Sequence, residues 1–154
     1  MISNFKGRSY VGDFDEEGNL YTYINGTYPK LSYIDVRASE PISLLQELTL
    51  HNQSNIPGVA DITYNPVQKR FFGLSGGHEL VFLDRKSGTY GIVGDFSDFI
   101  DVSGGFGAAW SDQDGNSYFS NNKTGKIFRF TLNQDGAVAE VKYVVPVRNR
   151  FFLL

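Results

Sequence analysis

The sequence predicts an all-β protein built from three four-stranded blades of a β-propeller. The 154-residue chain holds 13 Phe, 9 Tyr and 17 Gly but only one Met, a composition typical of short strands joined by tight turns. A strand–turn–aromatic-strand pattern recurs three times along the chain. The turn glycines Gly18 and Gly115 lie about 97 positions apart, which is two periods in the length range of propeller blades.

Each repeat opens with a hairpin and adds two further strands. The hairpins occupy residues 12–21, 62–71 and 109–118. The third strands are predicted at 31–36, 80–84 and 126–132, and the fourth strands at 44–50, 90–96 and 137–145. These strands give blades at about 7–50, 56–96 and 104–145 and a C-terminal tail at 146–154.

The segment at 44–50 has two possible secondary structures. Pro41 precedes leucines at 44, 45 and 48, a spacing that also fits the start of a short helix. We prefer a strand because the other two repeats place strands there.

A single β-sandwich of about twelve strands is the alternative architecture, and the threefold recurrence argues against it.

Composition excludes several classes of protein. The net charge is −3 and the pI is about 5.3, and no Lys/Arg cluster forms a stripe for nucleic acid. The chain has no Cys, which removes disulfides, thiolate zinc sites and thiol nucleophiles. No run approaches the roughly 18 apolar residues of a membrane span. The first six residues lack the apolar core of a signal peptide, so an exported protein would carry its signal on a longer parent chain.

A ligand site is predicted on the face of the propeller that carries the long loops. Loops between blades and loops between second and third strands share this face, at 24–30, 51–58, 75–79, 97–106 and 121–125. Binding groups concentrate on such loops above a rigid scaffold. The candidates are Arg8, Asp61 and Phe106 near the channel mouth, and Tyr28, His78, Asp98, Asp101 and Asn121 farther out. Ordinary solvated loops are the alternative interpretation.

No catalytic or metal motif is complete. Residues 112–116 resemble the start of a calcium loop, but its twelfth position is Lys123 rather than Glu, so a β-turn is the better interpretation. His51 and His78 lack zinc-site spacing. The sequence contains no nucleophile elbow and no dinucleotide fingerprint. We therefore predict no cofactor, no metal and no catalytic residue.

Six short motifs together resemble a known family. They are Gly-Asp-Phe-Asp-x-x-Gly-Asn-Leu-Tyr from residue 12, Tyr-Ile-Asp-Val from 33, Ala-Asp-Ile-Thr-Tyr-Asn-Pro from 60, Gly-Ala-Ala-Trp from 107, Asp-Gly-Asn-Ser-Tyr-Phe-Ser-Asn-Asn from 114 and Gly-Lys-Ile-Phe-Arg-Phe from 125. In this order they resemble the C-terminal half of an uncharacterised six-bladed propeller family of bacterial secreted, adhesin-like and cell-surface proteins. The resemblance covers residues 7–145. More distantly, the blades look like those of NHL-repeat and gluconolactonase-type propellers.

The resemblance implies a non-enzymatic binding or scaffold module at the cell surface or outside the cell. Glycans and peptides are the expected ligand classes, because aromatic and amide side chains suit both. The alternative is a metal-dependent hydrolase of the gluconolactonase-like type, which would need acidic groups on its innermost strands. Here Asp61 is the one clear candidate for such a group.

Three blades leave two end faces bare, because closed propellers have 4 to 8 blades. We expect half of a six-bladed ring, completed by a second copy in a two-fold dimer or by the missing half of a longer chain. The residues expected on the bare faces are Phe14, Tyr21, Tyr33, Ile127, Phe128 and Phe130. Packing between blades is expected for Trp110, Phe14, Tyr64, Phe82 and Phe128.

Overall fold

A computed structural model describes residues 11–25, 29–37, 39, 43–51, 58–100 and 105–144. All regular structure in these ranges is β-strand, which confirms the all-β prediction. The strands are β1 (Val11–Phe14), β2 (Leu20–Ile24), β3 (Lys30–Ile34), β4 (Ser43–Glu47), β5 (Thr49–Leu50), β6 (Val59–Asn65), β7 (Arg70–Ser75), β8 (Glu79–Asp84), β9 (Thr89–Asp95), β10 (Phe106–Ser111), β11 (Asn116–Asn121), β12 (Ile127–Leu132) and β13 (Val138–Val144).

The strands form three sheets that follow one another along the chain. Sheet 1 has the order β1-β2-β3-β4, sheet 2 the order β5-β9-β8-β7-β6, and sheet 3 the order β10-β11-β12-β13. Neighbouring strands are antiparallel except for the pair β5 and β9. Each sheet therefore contains the four-stranded meander that the repeats predict.

The predicted strand at 44–50 divides between two sheets. Its first part is β4, which pairs with β3 and confirms strand over helix. Its last part is β5, which runs parallel to β9 with Thr49 opposite Thr89. His51 continues this pairing by donating its backbone N–H to Tyr90 O at 2.8 Å. The connector thus covers backbone groups at the edge of sheet 2 that an uncovered outer strand would leave unpaired.

Sheet 2 lies between the other two and is buried on both faces. Phe71 and Phe72 are neighbours on β7, so their side chains point to opposite faces. Phe71 packs with Tyr21 and Tyr23 of sheet 1, and Phe72 packs with Phe119 of sheet 3. Two apolar clusters, one at each junction, therefore hold the three sheets together.

Several aromatic side chains lie on other faces than the sequence predicted. Tyr21, Phe128 and Phe130 were expected on bare outer faces, but they are buried against sheet 2. Phe14 and Trp110 were expected between blades, but they are 49% and 40% exposed. The cause is strand alternation, because a shift of one position moves a side chain to the opposite face of its sheet.

Tyr64 and Phe128 confirm the predicted packing between sheets, since both are buried in the junction clusters. Phe82 is half-buried and packs against the cluster between sheets 2 and 3.

Among the described residues, no helix has the length and apolar character needed to cross a lipid bilayer.

Candidate functional site

The innermost strand of sheet 1 carries a carboxylate that joins it to sheet 2. Asp13 Oδ2 accepts the backbone N–H of Tyr64 at 2.8 Å and lies 3.1 Å from the Thr63 hydroxyl. Thr63 is fully buried, and its hydroxyl also lies 3.1 Å from Ser111 Oγ of sheet 3. A short polar path therefore connects the innermost strands of all three sheets.

Asp61 makes the corresponding connection between sheets 2 and 3. Its Oδ2 accepts the backbone N–H of Ala109 at 2.9 Å, and its Oδ1 accepts the N–H of Ile62 at 2.9 Å. Burial raises the pKa of Asp61, and the two backbone hydrogen bonds oppose that rise. The one acidic residue that the sequence offered for a channel site is thus engaged in joining sheets.

The other predicted site residues within the described ranges lie on strand ends and turns. Phe106 and Asn121 face each other across β10 and β11, and both are buried. Asn121 Oδ1 accepts the N–H groups of Lys123 and Thr124, so this side chain shapes a turn. The structure therefore brings Phe106 and Asn121 together.

His78 and Asp98 lie in two separate turns. His78 has a φ of 78° and accepts the Phe96 N–H at its backbone oxygen. Asp98 lies in the exposed turn after β9. Three predicted site residues, Arg8, Tyr28 and Asp101, and the tail at 146–154 lie outside the described residues.

The predicted calcium-like segment is a hairpin turn, as expected. Asp112 Oδ1 accepts the Asn116 N–H at 2.9 Å, and Gly115 has a φ of 84°. Gly115 also lies close to sheet 2, because a Cβ there would come within 2.8 Å of Val67. In the described part of the chain, no three His, Asp or Glu side chains are grouped as a metal site would require.

An arginine that the sequence pattern did not single out joins sheets 1 and 2. Arg85 lies in the turn after β8, and its side chain is only 9% exposed. Its guanidinium contacts Glu16 Oε2 at 2.9 Å and Asp15 Oδ2 at 3.4 Å. The rings of Tyr21 and Tyr64 lie 5.7 Å from its Cζ. We call this group of five residues the Arg85 cluster.

Electrostatics in the Arg85 cluster follow from burial and from the arginine charge. Burial raises the pKa of Tyr64 to about 12. Burial also acts to raise the pKa of Glu16, but hydrogen bonds and the Arg85 charge outweigh it and hold that pKa below 4.5. Glu16 therefore stays ionised at neutral pH, and the cluster is a charged joint between sheets.

The structure also contains a groove along sheet 2 that the sequence did not predict. We call it the Arg70 groove, and its volume is 500 Å³. It is lined by His51, Arg70, Phe82, Asp84, Ser87, Thr89, Gly91 and Ile92. A smaller cavity of 170 Å³ continues past Arg70 and Phe82 toward Gly136 of sheet 3.

Arg70 is held at the centre of this groove. Its Nε donates to Asp84 Oδ2 at 3.2 Å, and its Cζ lies 5.3 Å from the centre of the Phe82 ring. The His51 ring lies on the same aromatic side chain, 6.3 Å from it. These residues come from β7, β8 and the segment after β5, so only the folded sheet brings them together.

The outward face of sheet 3 carries aromatic and charged side chains. Trp110 stacks on Tyr118 with ring centres 5.2 Å apart and planes within 2° of parallel. The Tyr118 hydroxyl donates to Asp112 Oδ2 at 2.9 Å. Farther along the face, Arg129 pairs with Glu140 at 3.3 Å. This face differs from the apolar faces at the two junctions.

Three meander sheets joined through their innermost strands define the class of protein, a β-propeller-like repeat protein. More particularly, the chain belongs to the family described as a repeat of unknown function, DUF6923, whose sequence profile matches residues 2–148. No curated protein matches the chain.

Solved structures share the fold at low sequence identity. Virginiamycin B lyase from Staphylococcus aureus superposes with a TM-score of 0.60 at 14% identity, over 97% of this chain and 45% of the lyase. The Malassezia sympodialis allergen Mala s 1 superposes with a TM-score of 0.56 at 16% sequence identity, over 86% of this chain and 40% of the allergen. AztD from Citrobacter koseri superposes with a TM-score of 0.55 at 11% sequence identity, over 89% of this chain and 34% of AztD. This chain therefore spans less than half the length of each of these proteins.

Proposed function

We propose that this chain is a non-enzymatic binding and scaffold module whose three sheets are blades of a propeller ring completed by a second copy. Further blades of a longer protein are the other possible partner. A place at the cell surface, which the sequence resemblance implies, belongs to the same proposal. So does a ligand face formed by the inter-blade loops around Asp61 and His78.

The scaffold proposal rests on one observation: the two inner-strand carboxylates form hydrogen bonds between sheets. Asp13 and Asp61 each accept a backbone N–H from the next sheet. A hydrolase with a metal in its channel would need such groups free to bind the metal. Their commitment to the junctions supports a module built to hold blades together.

Exposed apolar side chains at both ends support completion by a partner. At the outer side of sheet 1, Phe14 and Val36 are 49% and 46% exposed, and at sheet 3 Trp110 is 40% exposed. Asp13 reaches sheet 2, so its neighbour Phe14 points to the opposite face. Closing a propeller ring buries the faces of its end blades, and ring closure would cover these side chains.

The joint between sheets 1 and 2 indicates how a second copy would dock. There the hairpin turn with Asp15 and Glu16 meets Arg85, in the turn that follows a third strand. At the free ends, sheet 3 presents the hairpin turn with Asp112 and Asp114. Sheet 1 presents Arg37, whose side chain is 63% exposed, in the turn after its third strand. A joint of the same form would place Val36, with Arg37 next to it in sequence, against the turn that carries Asp112 and Gln113.

Chain length is consistent with closure by two copies. One copy covers 45% of the lyase, so two copies supply about nine tenths of that length. A two-fold axis would make both seams identical, with sheet 3 of each copy against sheet 1 of the other. No third component would be required.

The test is the molar mass of the full chain by light scattering after size exclusion. The chain mass is 17.2 kDa, and we expect about twice that value. Phe14→Glu and Trp110→Glu place a charge in both seams and should each give a monomer. Phe99→Glu is the matched control, because Phe99 is 71% exposed away from the seams. A monomeric wild-type chain that unfolds cooperatively would refute closure by a second copy.

The non-enzymatic part of the proposal has its own test. Calorimetric titration with Ca²⁺, Mg²⁺ and Zn²⁺ should show no stoichiometric site that Asp61→Asn removes. Saturable binding of a divalent ion that depends on Asp61, together with hydrolysis of a lactone, would establish the hydrolase alternative instead.

A further inference from the structure

We propose that the Arg70 groove binds a neutral saccharide unit through neighbouring hydroxyl groups. The inference rests on the proposed binding function and gives it a ligand class; it places the ligand at the end of sheet 2 that carries the turns at 66–69 and 85–88, not at the loops around Asp61 and His78. It does not depend on ring completion, because all of the residues that line the groove belong to sheet 2 or to the connector that pairs with it.

Arg70 supplies a pair of unused hydrogen-bond donors. Its Nε is engaged by Asp84, whereas Nη1 and Nη2 donate to no group in the described part of the chain. The Arg70 side chain is 38% exposed and lines both the groove and the smaller cavity, and its Nη1 lies on the side of Gly136. A guanidinium holds its donors in a fixed plane, which matches two adjacent oxygens of a ligand.

The charge balance of the groove favours a neutral ligand. The carboxylate of Asp84 lies against Arg70 and is 17% exposed. Its Oδ1 accepts the N–H groups of Lys86 and Ser87, which fixes it in place. An anionic ligand at Arg70 would therefore sit beside a fixed negative charge and pay for that repulsion. A pair of sugar hydroxyls carries no such cost.

The residues that line the groove also include two hydroxyl groups. Ser87 Oγ and Thr89 Oγ1 lie 2.6 Å apart and are both hydrogen-bond donors and acceptors. They can exchange this contact for hydrogen bonds to a bound polyol. Arginine donors and hydroxyl groups in one groove are the polar groups that a saccharide needs.

Two ring side chains complete the site. A Cβ at Gly91 would come within 2.9 Å of the Phe82 ring and 3.4 Å of His51 Cβ, so the glycine lets both side chains lie close to the β9 backbone. Phe82 and His51 give the apolar surface that the carbon face of a sugar requires. The 500 Å³ volume lies within the range of roughly 300–1,000 Å³ for small-ligand sites.

The experiment is a ligand-observed NMR titration of the full chain. The probes are the methyl glycosides of glucose, galactose and mannose, with methyl glucuronide as the anionic comparison. Arg70→Gln removes the donor fork, and the double variant Ser87→Ala/Thr89→Val removes both hydroxyls at an exposed site. Arg129→Gln is the matched control, because Arg129 is a similarly exposed arginine in an ion pair outside the groove. Thermal melting establishes that each variant is folded.

We expect saturable binding of at least one neutral glycoside. Its dissociation constant should rise about tenfold or more in Arg70→Gln and in the double variant, and should not change in Arg129→Gln. Absence of binding by any neutral glycoside, or binding of the glucuronide alone, would overturn the ligand class. Equal binding by wild type and both groove variants would overturn the location. A monomer that binds a neutral glycoside in this groove refutes ring completion by a second copy and supports this inference, whereas a dimer that binds none does the reverse.

Discussion

The carboxylate of Asp13 in one sheet accepts the backbone N–H of Tyr64 in the next at 2.8 Å, across 51 positions of sequence. Asp61 repeats this relationship with Ala109, 48 positions on. A side chain that pairs with a backbone group fixes the position of the neighbouring strand as well as its distance. Each of the two junctions therefore has a hydrogen bond from a backbone N–H to an aspartate carboxylate in addition to its apolar cluster.

Replacing Asp13 by Ala should weaken the junction between sheets 1 and 2. The change leaves the Tyr64 N–H without its partner at a part-buried position, which costs about 1–3 kcal/mol of unfolding free energy. Urea denaturation of Asp13→Ala and wild type measures the difference. Asp98→Asn is the control, because Asp98 is exposed in a turn; equal losses in both variants would contradict the joining role of Asp13.

Replacing Arg85 by Met should be more damaging than replacing an exposed arginine. The Asp15 side chain is fully buried beside Arg85 and would keep only the hydrogen bonds within its own turn, and removing one partner of a buried ion pair costs about 3–5 kcal/mol. Arg129→Met breaks an exposed pair with Glu140, and exposed ion pairs contribute little to stability. Chemical denaturation of the two variants provides the comparison, and similar values would show that the Arg85 cluster does not hold the sheets together.

Much of the fold was predictable because its signals are local. Gly18 and Gly115 mark hairpin turns with φ values of 78° and 84°, and the repeats place the meanders correctly. The parallel addition of β5 to sheet 2 was not predictable, because it depends on where the connector passes the next sheet. The same limit applies to Phe14 and Trp110, since periodicity does not reveal which face of a sheet meets its neighbour.

The candidate site was less predictable than the fold. The sequence placed Asp61 on an inner strand, and it lies on β6, but its partner Ala109 lies in another repeat. Arg70 and His51 are about 19 positions apart and meet only through the pairing of β5 with β9. No local sequence pattern identifies such a groove, because the residues that line it become neighbours only in the folded structure.

Acid should weaken the hairpin turn of sheet 3 through Asp112. Burial acts to raise the pKa of Asp112, but hydrogen bonds from Asn116 and Tyr118 outweigh it and hold the pKa below 3.8. A carboxyl with a lowered folded-state pKa contributes stability above its unfolded value, and this contribution is lost as the pH falls through the folded value. Melting temperatures between about pH 2 and 6 should therefore fall less for Asp112→Asn than for wild type. Parallel curves for the two proteins would contradict this assignment.

The melting temperature should depend on protein concentration if a second copy completes the ring. A partner that binds only the folded chain stabilises it by mass action, so wild type should melt higher as concentration rises. Trp110→Glu should melt at a temperature independent of concentration, while Phe99→Glu should behave as wild type. A wild-type melting temperature that does not change over a hundredfold dilution would argue against association.

The most direct test of ring completion is a covalent bond across the expected seam. The chain has no Cys, so two can be introduced without interference. Val36 and Gln113 occupy the turn positions that correspond to Arg85 and Glu16, which touch at the joint between sheets 1 and 2. A flexible bismaleimide reagent should link Val36→Cys/Gln113→Cys into a covalent dimer, because Arg85 and Glu16 meet through the ends of long side chains and thiols at the corresponding positions need a spacer longer than a disulfide. The control Val36→Cys/Lys123→Cys places the second thiol in the turn between β11 and β12, at the other end of sheet 3, and should give no covalent dimer. A Val36→Cys/Gln113→Cys variant that cross-links no more than the control would contradict closure of the ring by a second copy.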